Sequence, residues 1–239
     1  MATKFGFLSR LNFLQDLASV CISKVNPAII HNLEKYYIIK KVHYLSAIDD
    51  MEGDYLEFGV FTGSSFCHSI RSYRELAHLN PNHLKTRFWG FDSFGGFGTL
   101  ATDDVHTFYT DENFAASLPQ VNSRVRRVAK RDIDYQLVPG FFSDSLKNGV
   151  SQYSLCKARI IFIDSDTYSS ANEALIFCLP IVQEGTYIIL DDYFSYKGSM
   201  GKGVARAFTE FVERGKLEVR RVFTYGMGGV VYVVSAVMK

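Results

Sequence analysis

Two hydrophobic patterns divide the chain. Up to about residue 50 the apolar positions recur at helical spacing, with Phe13, Leu14, Leu17, Val20 and Cys21 forming one stripe. Asn26-Pro27 breaks that stripe, and a second helix is expected over Ile29 to Ile48. From Asp54 onward, short runs alternate with helical stretches. They read DYLEFGV, a helix from Ser64 to about Ala77, RFWGFDSF, a long polar stretch, DYQLVPGFF, ARIIFIDSD, a helix over Ser169 to Val182, and TYIILDDYF. Several of these runs are apolar at consecutive positions, as strands covered on both faces must be. The repeated β-then-α order predicts a doubly wound, Rossmann-like α/β sheet, mostly parallel. The end of the chain differs: a helix from about Gly203 to Arg214, then VRRVFTY, turn residues Gly226 to Gly229, and VVYVVSAV. These predict an antiparallel hairpin closing one sheet edge. Residues 1–50 are expected as a helical cap, lid or dimerisation segment, and 51–239 as the ligand-binding domain. Gly95 to Asn122, rich in Gly, Thr and Asp, reads as an irregular lid or binding loop.

Composition narrows the partners. Of 239 residues, 47% are hydrophobic and 21% charged, with a net charge of +1, so neither a disordered chain nor a polyelectrolyte binder is expected. Nucleic acid is therefore not an expected partner. No run reaches the roughly 18–20 apolar residues of a membrane span. Arg10 and Asp16 interrupt the apolar start, which reads as an amphipathic helix rather than a signal peptide. Cys21, Cys67, Cys156 and Cys178 are scattered without a CxxC pair, which favours a reduced cytoplasmic chain with inert thiols over a disulfide framework or zinc site.

The chemistry sits at the strand ends, where open parallel sheets bind their ligands. The first strand runs into Glu57-Phe58-Gly59-Val60-Phe61-Thr62-Gly63-Ser64-Ser65. Its glycines allow a sharp turn and close backbone approach to a ligand, and the next helix presents its N-terminal amides there. The GxxxG spacing serves a pyrophosphate poorly, while Glu57 suits a ligand with a cationic amino-acid portion such as S-adenosylmethionine. Asp92-Ser93 ends the second strand, placed to accept hydrogen bonds from ribose hydroxyls; an N-cap is the plainer role. Gly140 could admit an adenine and Phe141 or Phe142 stack on it, although such phenylalanines are more often core. At the next two strand tips stand Asp164 and Asp166, then Asp191 and Asp192. Four converging acids call for a hard cation such as Mg²⁺, a base role, or both. If the strand conformation continues, Asp164 and Asp166 share a face, one to hold metal and one to take a proton.

YLEFGVFTGSS, WGFDSFGG, ENFAAS, LVPGFFSDSL, FIDSDTYSSANEAL, IILDDYF and GKGVARAFTEF, in that order over residues 54–214, resemble the macrocin and mycinamicin O-methyltransferases, a family that includes the aminocoumarin-sugar methyltransferases. The resemblance implies a class I methyltransferase domain over 51–239, with methyl transfer from S-adenosylmethionine to a sugar hydroxyl of a small molecule. It further implies Mg²⁺ on Asp164, Asp191 and Asp192, and Asp166 as general base; apart from the resemblance, His106 in the lid is the less favoured alternative base. Glu57, Phe58, Gly59, Gly63, Ser64, Ser65, Asp92, Ser93, Gly140, Phe141, Phe142 and Asp164 would border the cofactor. Gly95 and Phe162 depart from the acid and the histidine common in the family. The competing classes are a metal-dependent hydrolase or phosphotransferase, disfavoured by the missing GxxxxGK[ST] loop, and a non-catalytic cofactor-binding protein, disfavoured by the intact acids. The apolar N-terminal helix suits a homo-oligomer interface or a cover over the site, and composition does not choose.

Overall fold

The computed structural model describes residues 11–80, 85–106 and 114–238. Helices α1 (Asn12–Ser23) and α2 (Pro27–Ile48) come first, and the Asn26 side chain caps α2 by accepting the Ala28 N–H at 2.9 Å, with Pro27 in the first turn. A seven-stranded sheet follows: β1 (Asp54–Phe58), β2 (Phe88–Asp92), β3 (Tyr135–Pro139), β4 (Ala158–Ile163), β5 (Tyr187–Leu190), β6 (Leu217–Tyr225) and β7 (Gly229–Val237). Its order is β3-β2-β1-β4-β5-β7-β6. The first five strands are parallel, and β7 pairs antiparallel with both β5 and β6. The crossover helices are α3 (Ser64–Leu76), α4 (Leu118–Ala129), α5 (Tyr168–Cys178) and α6 (Gly203–Gly215).

Every residue of β1, β4 and β5 is buried, which explains the consecutive apolar positions in each, and the charged members Asp54, Glu57 and Arg159 are buried with them. Successive residues feed opposite layers. Leu56 and Phe58 pack with Ala171, Leu175, Phe208 and Phe211 of α5 and α6, whereas Tyr55, Phe162 and Ile189 pack with α2, α3 and α4 through Ile39, Val42, Phe66, Ile70 and Val125. Helix α2 therefore lies in the second layer through a stripe at 35, 38, 39, 42, 43 and 46, a helical repeat. Helix α1 is helical as its spacing predicts, but none of its residues is buried. Helix α4 occupies part of the region expected to be irregular. Pro119 in its first turn and buried Val121, Val125 and Ala129 at four-residue spacing were its signal. Among the described residues, no helix is long and apolar enough to cross a membrane.

Candidate active site

Strand order reverses between β1 and β4, and the crevice beyond their carboxyl ends is where such sheets bind ligands. A cavity of about 790 Å³ opens there. The turn after β1 forms its floor. Gly59 has φ +94°, and a Cβ at that position would lie 1.8 Å from the Asp164 carbonyl oxygen, so only glycine lets these two strand tips close together. Asp92 organises the loops on either side, its carboxylate accepting the Phe61 N–H at 2.7 Å and the Phe94 N–H at 2.6 Å. Gly59, Ser64, Ser65, Asp92, Ser93, Phe141, Phe142 and Asp164 of the expected cofactor residues line the cavity, joined by the aromatics Phe61, Phe97 and Phe114.

Others lie behind that wall. Phe58 is buried and stacks on Phe91 at 4.9 Å, and Gly63 and Gly140 shape turns without reaching the cavity surface. Glu57 is also fully buried, beneath the glycine turn. Its carboxylate accepts the Tyr55 hydroxyl at 2.5 Å and the Ser65 hydroxyl at 2.6 Å. Burial outweighs these hydrogen bonds and raises its pKa to about 7. His106 stands outside the lining too, its ring edge-on to Tyr196 at 5.2 Å.

Register brings the acids together. Ile163 of β4 pairs with Leu190 of β5, so the next residues, Asp164 and Asp191, leave the sheet side by side. Asp164, Asp191 and Asp192 each offer a carboxylate oxygen within 4.8 Å of the others. The extended conformation expected through Asp166 ends at Ile163, and Asp166 instead takes φ +61°. That bend brings its carboxyl into hydrogen-bond contact with Asp192.

The strongest partners of this cluster come from α2, which sequence reasoning missed. Lys35 Nζ bridges Asp191 Oδ2 at 2.6 Å and Asp164 Oδ2 at 3.0 Å. His31 Nδ1 accepts the Met227 N–H at 3.2 Å, which leaves Nε2 as the donor to Asp191 Oδ2 at 3.2 Å. The buried Tyr225 hydroxyl donates to Asp191 Oδ1 at 2.6 Å. Burial pushes the Asp191 pKa up, but the Lys35 charge and the His31 contact overcome it and hold this carboxyl well below the usual range. Asp164, Asp166 and Asp192 go the other way: burial, then the charge of neighbouring aspartates, raises all three. Lys35 and His31 thus face a cluster of four carboxyl groups. Their hard oxygen donors fit a divalent ion of the Mg²⁺ type, whose charge would offset their mutual repulsion. Ala28, His31, Asn32, Lys35 and Tyr36 share one helix face and all line the cavity, but no local pattern marks that face as part of a site.

A family model described as Macrocin-O-methyltransferase (TylF) matches residues 16–221. The 8-demethyl-8-(2,3-dimethoxy-alpha-L-rhamnosyl)-tetracenomycin-C 4'-O-methyltransferase of Streptomyces olivaceus is 28% identical over 188 residues, 75% of this chain and 65% of its own length. The mycinamicin III 3''-O-methyltransferase of Micromonospora griseorubida is 25% identical over 153 residues, 61% of this chain and 57% of its own. The chain thus spans less than two thirds of either relative. Among solved structures, the O-methyltransferase NovP superposes with a TM-score of 0.64 at 20% identity, over 84% of this chain and 79% of that one. The calicheamicin methyltransferase CalS11 gives 0.65 at 17% identity, over 81% and 76%. The likeness is one of fold, the mostly parallel class I methyltransferase sheet with its antiparallel C-terminal strands.

Proposed function

The chain belongs to the macrocin O-methyltransferase family, and we propose that it transfers the methyl group of S-adenosylmethionine to a hydroxyl of a sugar or glycosylated small molecule. The observation that carries this reading is the convergence of the Gly59 turn, Asp92 and four aspartates on one cavity whose volume suits a small-molecule site. The printed specificities of the two similar enzymes, one for a rhamnosyl tetracenomycin and one for mycinamicin III, support a sugar hydroxyl as acceptor.

Gly59, Ser64, Ser65, Asp92, Ser93 and Phe141 would hold the cofactor, and Asp164, Asp191 and Asp192 the ion. The cofactor supplies an electrophilic sulfonium methyl, and Mg²⁺ or another hard divalent cation supplies charge that favours deprotonation of an acceptor hydroxyl. Asp166, on the cavity wall, takes the hydroxyl proton on its carboxylate, whose basicity is increased by burial and then by the charge of Asp192. The cavity wall would hold the deprotonated acceptor oxygen facing the donor methyl. His106, turned onto Tyr196, is the less favoured base. The acceptor would bind beside the face of α2 that carries His31, Asn32 and Tyr36 on the cavity wall, which makes this helix the cover of the site.

Thermal shift tests the cofactor: S-adenosylhomocysteine should stabilise the protein and nucleoside triphosphates should not. The reverse outcome would favour a phosphotransferase. Methyl transfer from labelled donor to a panel of glycosides, with and without EDTA, tests the chemistry, and Asp166→Asn should cost about 10²–10⁴-fold in kcat. Unaltered turnover by that variant would remove Asp166 from the reaction.

A further inference from the structure

The position of Lys35 bears on how tightly the site holds its ion. Asp191 has both oxygens engaged: Oδ1 by Tyr225, and Oδ2 by Lys35 and His31. The same ammonium takes one oxygen of Asp164. The packing of α2 sets Lys35 beside the acids: Ile38 and Ile39 on the next turn are buried in the sheet-facing core, and Nζ lies 5.8 Å from the centre of the Phe162 ring. A lysine that is only 8% exposed and bridges two of three prospective ion ligands is placed as a cation in its own right.

We propose that Lys35 is a built-in competitor for the divalent ion, sharing Asp164 and Asp191 with it, so that the site holds its ion loosely and Lys35 sets that affinity. This rests on the reading of Asp164, Asp191 and Asp192 as ion ligands. An ion that enters must take these two oxygens from Nζ and push the ammonium aside. The cost falls on the ion's affinity, whereas a lysine that merely positions the acids would raise that affinity. The two roles therefore predict opposite signs.

Mn²⁺ titration by calorimetry on the wild type, Lys35→Met and Lys35→Arg, each first shown to melt cooperatively, reads the sign. Removing one unit charge this close to a divalent ion should tighten binding by Lys35→Met on the order of 10- to 100-fold, while Lys35→Arg, which keeps the charge, should stay within a few-fold of the wild type. Binding by Lys35→Met that is equal to or weaker than wild type overturns the proposal. Equal binding by all three leaves the ligand assignment standing and removes Lys35 alone, whereas no binding by any of them removes both. A second measurement needs no variant. Amine acetylation of the wild type, read by mass spectrometry at Lys35, should rise when Mn²⁺ is added, and labelling that stays flat or falls overturns the proposal even if Lys35→Met does not fold.

Discussion

Glu57 makes the protein's stability sensitive to pH. The side chain is wholly buried under the Gly59 turn, it accepts two hydroxyl hydrogen bonds, and burial raises its pKa from 4.5 to about 7. Between those values the unfolded chain has released this proton and the folded chain still holds it, so stability falls as pH rises through the interval. At about 1.4 kcal/mol per pKa unit, the loss between pH 5 and pH 8 comes to about 2.5 kcal/mol. Glu57→Gln removes the titration. The Ser65 hydroxyl can turn to accept from the new amide N–H while Tyr55 donates to the amide oxygen, so both hydrogen bonds survive the change. Urea unfolding of wild type and variant at half-unit steps of pH measures the effect as a difference, in which the other titrating carboxyls cancel. The variant should gain about 2.5 kcal/mol on the wild type across the window, with most of the gain below pH 7. Parallel curves, or a wild type that gains stability with pH relative to the variant, would show that Glu57 is ionised throughout and that burial does not control it.

Two further substitutions probe the strand tips. Gly59→Ala should abolish the stabilisation by S-adenosylhomocysteine, because the new Cβ would displace the Asp164 carbonyl; Gly149→Ala, at φ +71° and ψ −176° with nothing within 4 Å, meets no neighbour, costs backbone strain of about 1–3 kcal/mol and should keep it. Equal behaviour of the two in thermal shift would separate the Gly59 contact from cofactor binding. Tyr225→Phe removes a buried hydrogen bond to an ionised carboxylate, so chemical denaturation should show a loss of about 1.5–3 kcal/mol, and a loss under 0.5 kcal/mol would mean that Asp191 does not depend on Tyr225.

The strands and their tips were legible for a physical reason. Burial on both faces makes β4 and β5 almost wholly apolar, Arg159 apart, so the first acid after each run marks the point where the chain leaves the core. Asp164 and Asp191 fall at those points, and adjacent parallel strands in register leave them no choice but to meet. Helix α4 was harder to read because its apolar stripe is thin, three buried residues among arginines and polar side chains. Glu57 shows the limit of reading a motif by its neighbours: β1 alternation turns its side chain to the interior even though it precedes a ligand-facing turn.

Lys35 and His31 were out of reach for a different reason. They meet their aspartates across 129 and 160 residues of chain, a separation no local pattern encodes. In a helix, a lysine followed by apolar residues three and four positions on is ordinarily read as a solvated edge, its stem lying along the core and its ammonium in water. What makes burial tolerable here is the acid excess at the far strand tips, since a buried cation persists only where paired charge repays its desolvation. Four clustered carboxylates on a sheet already demand a positive partner. From the sequence the four acids called for a hard cation, a base role, or both, and a side-chain cation was not among the readings; only the packing of α2 against β4 and β5 brings Lys35 into contention with an ion.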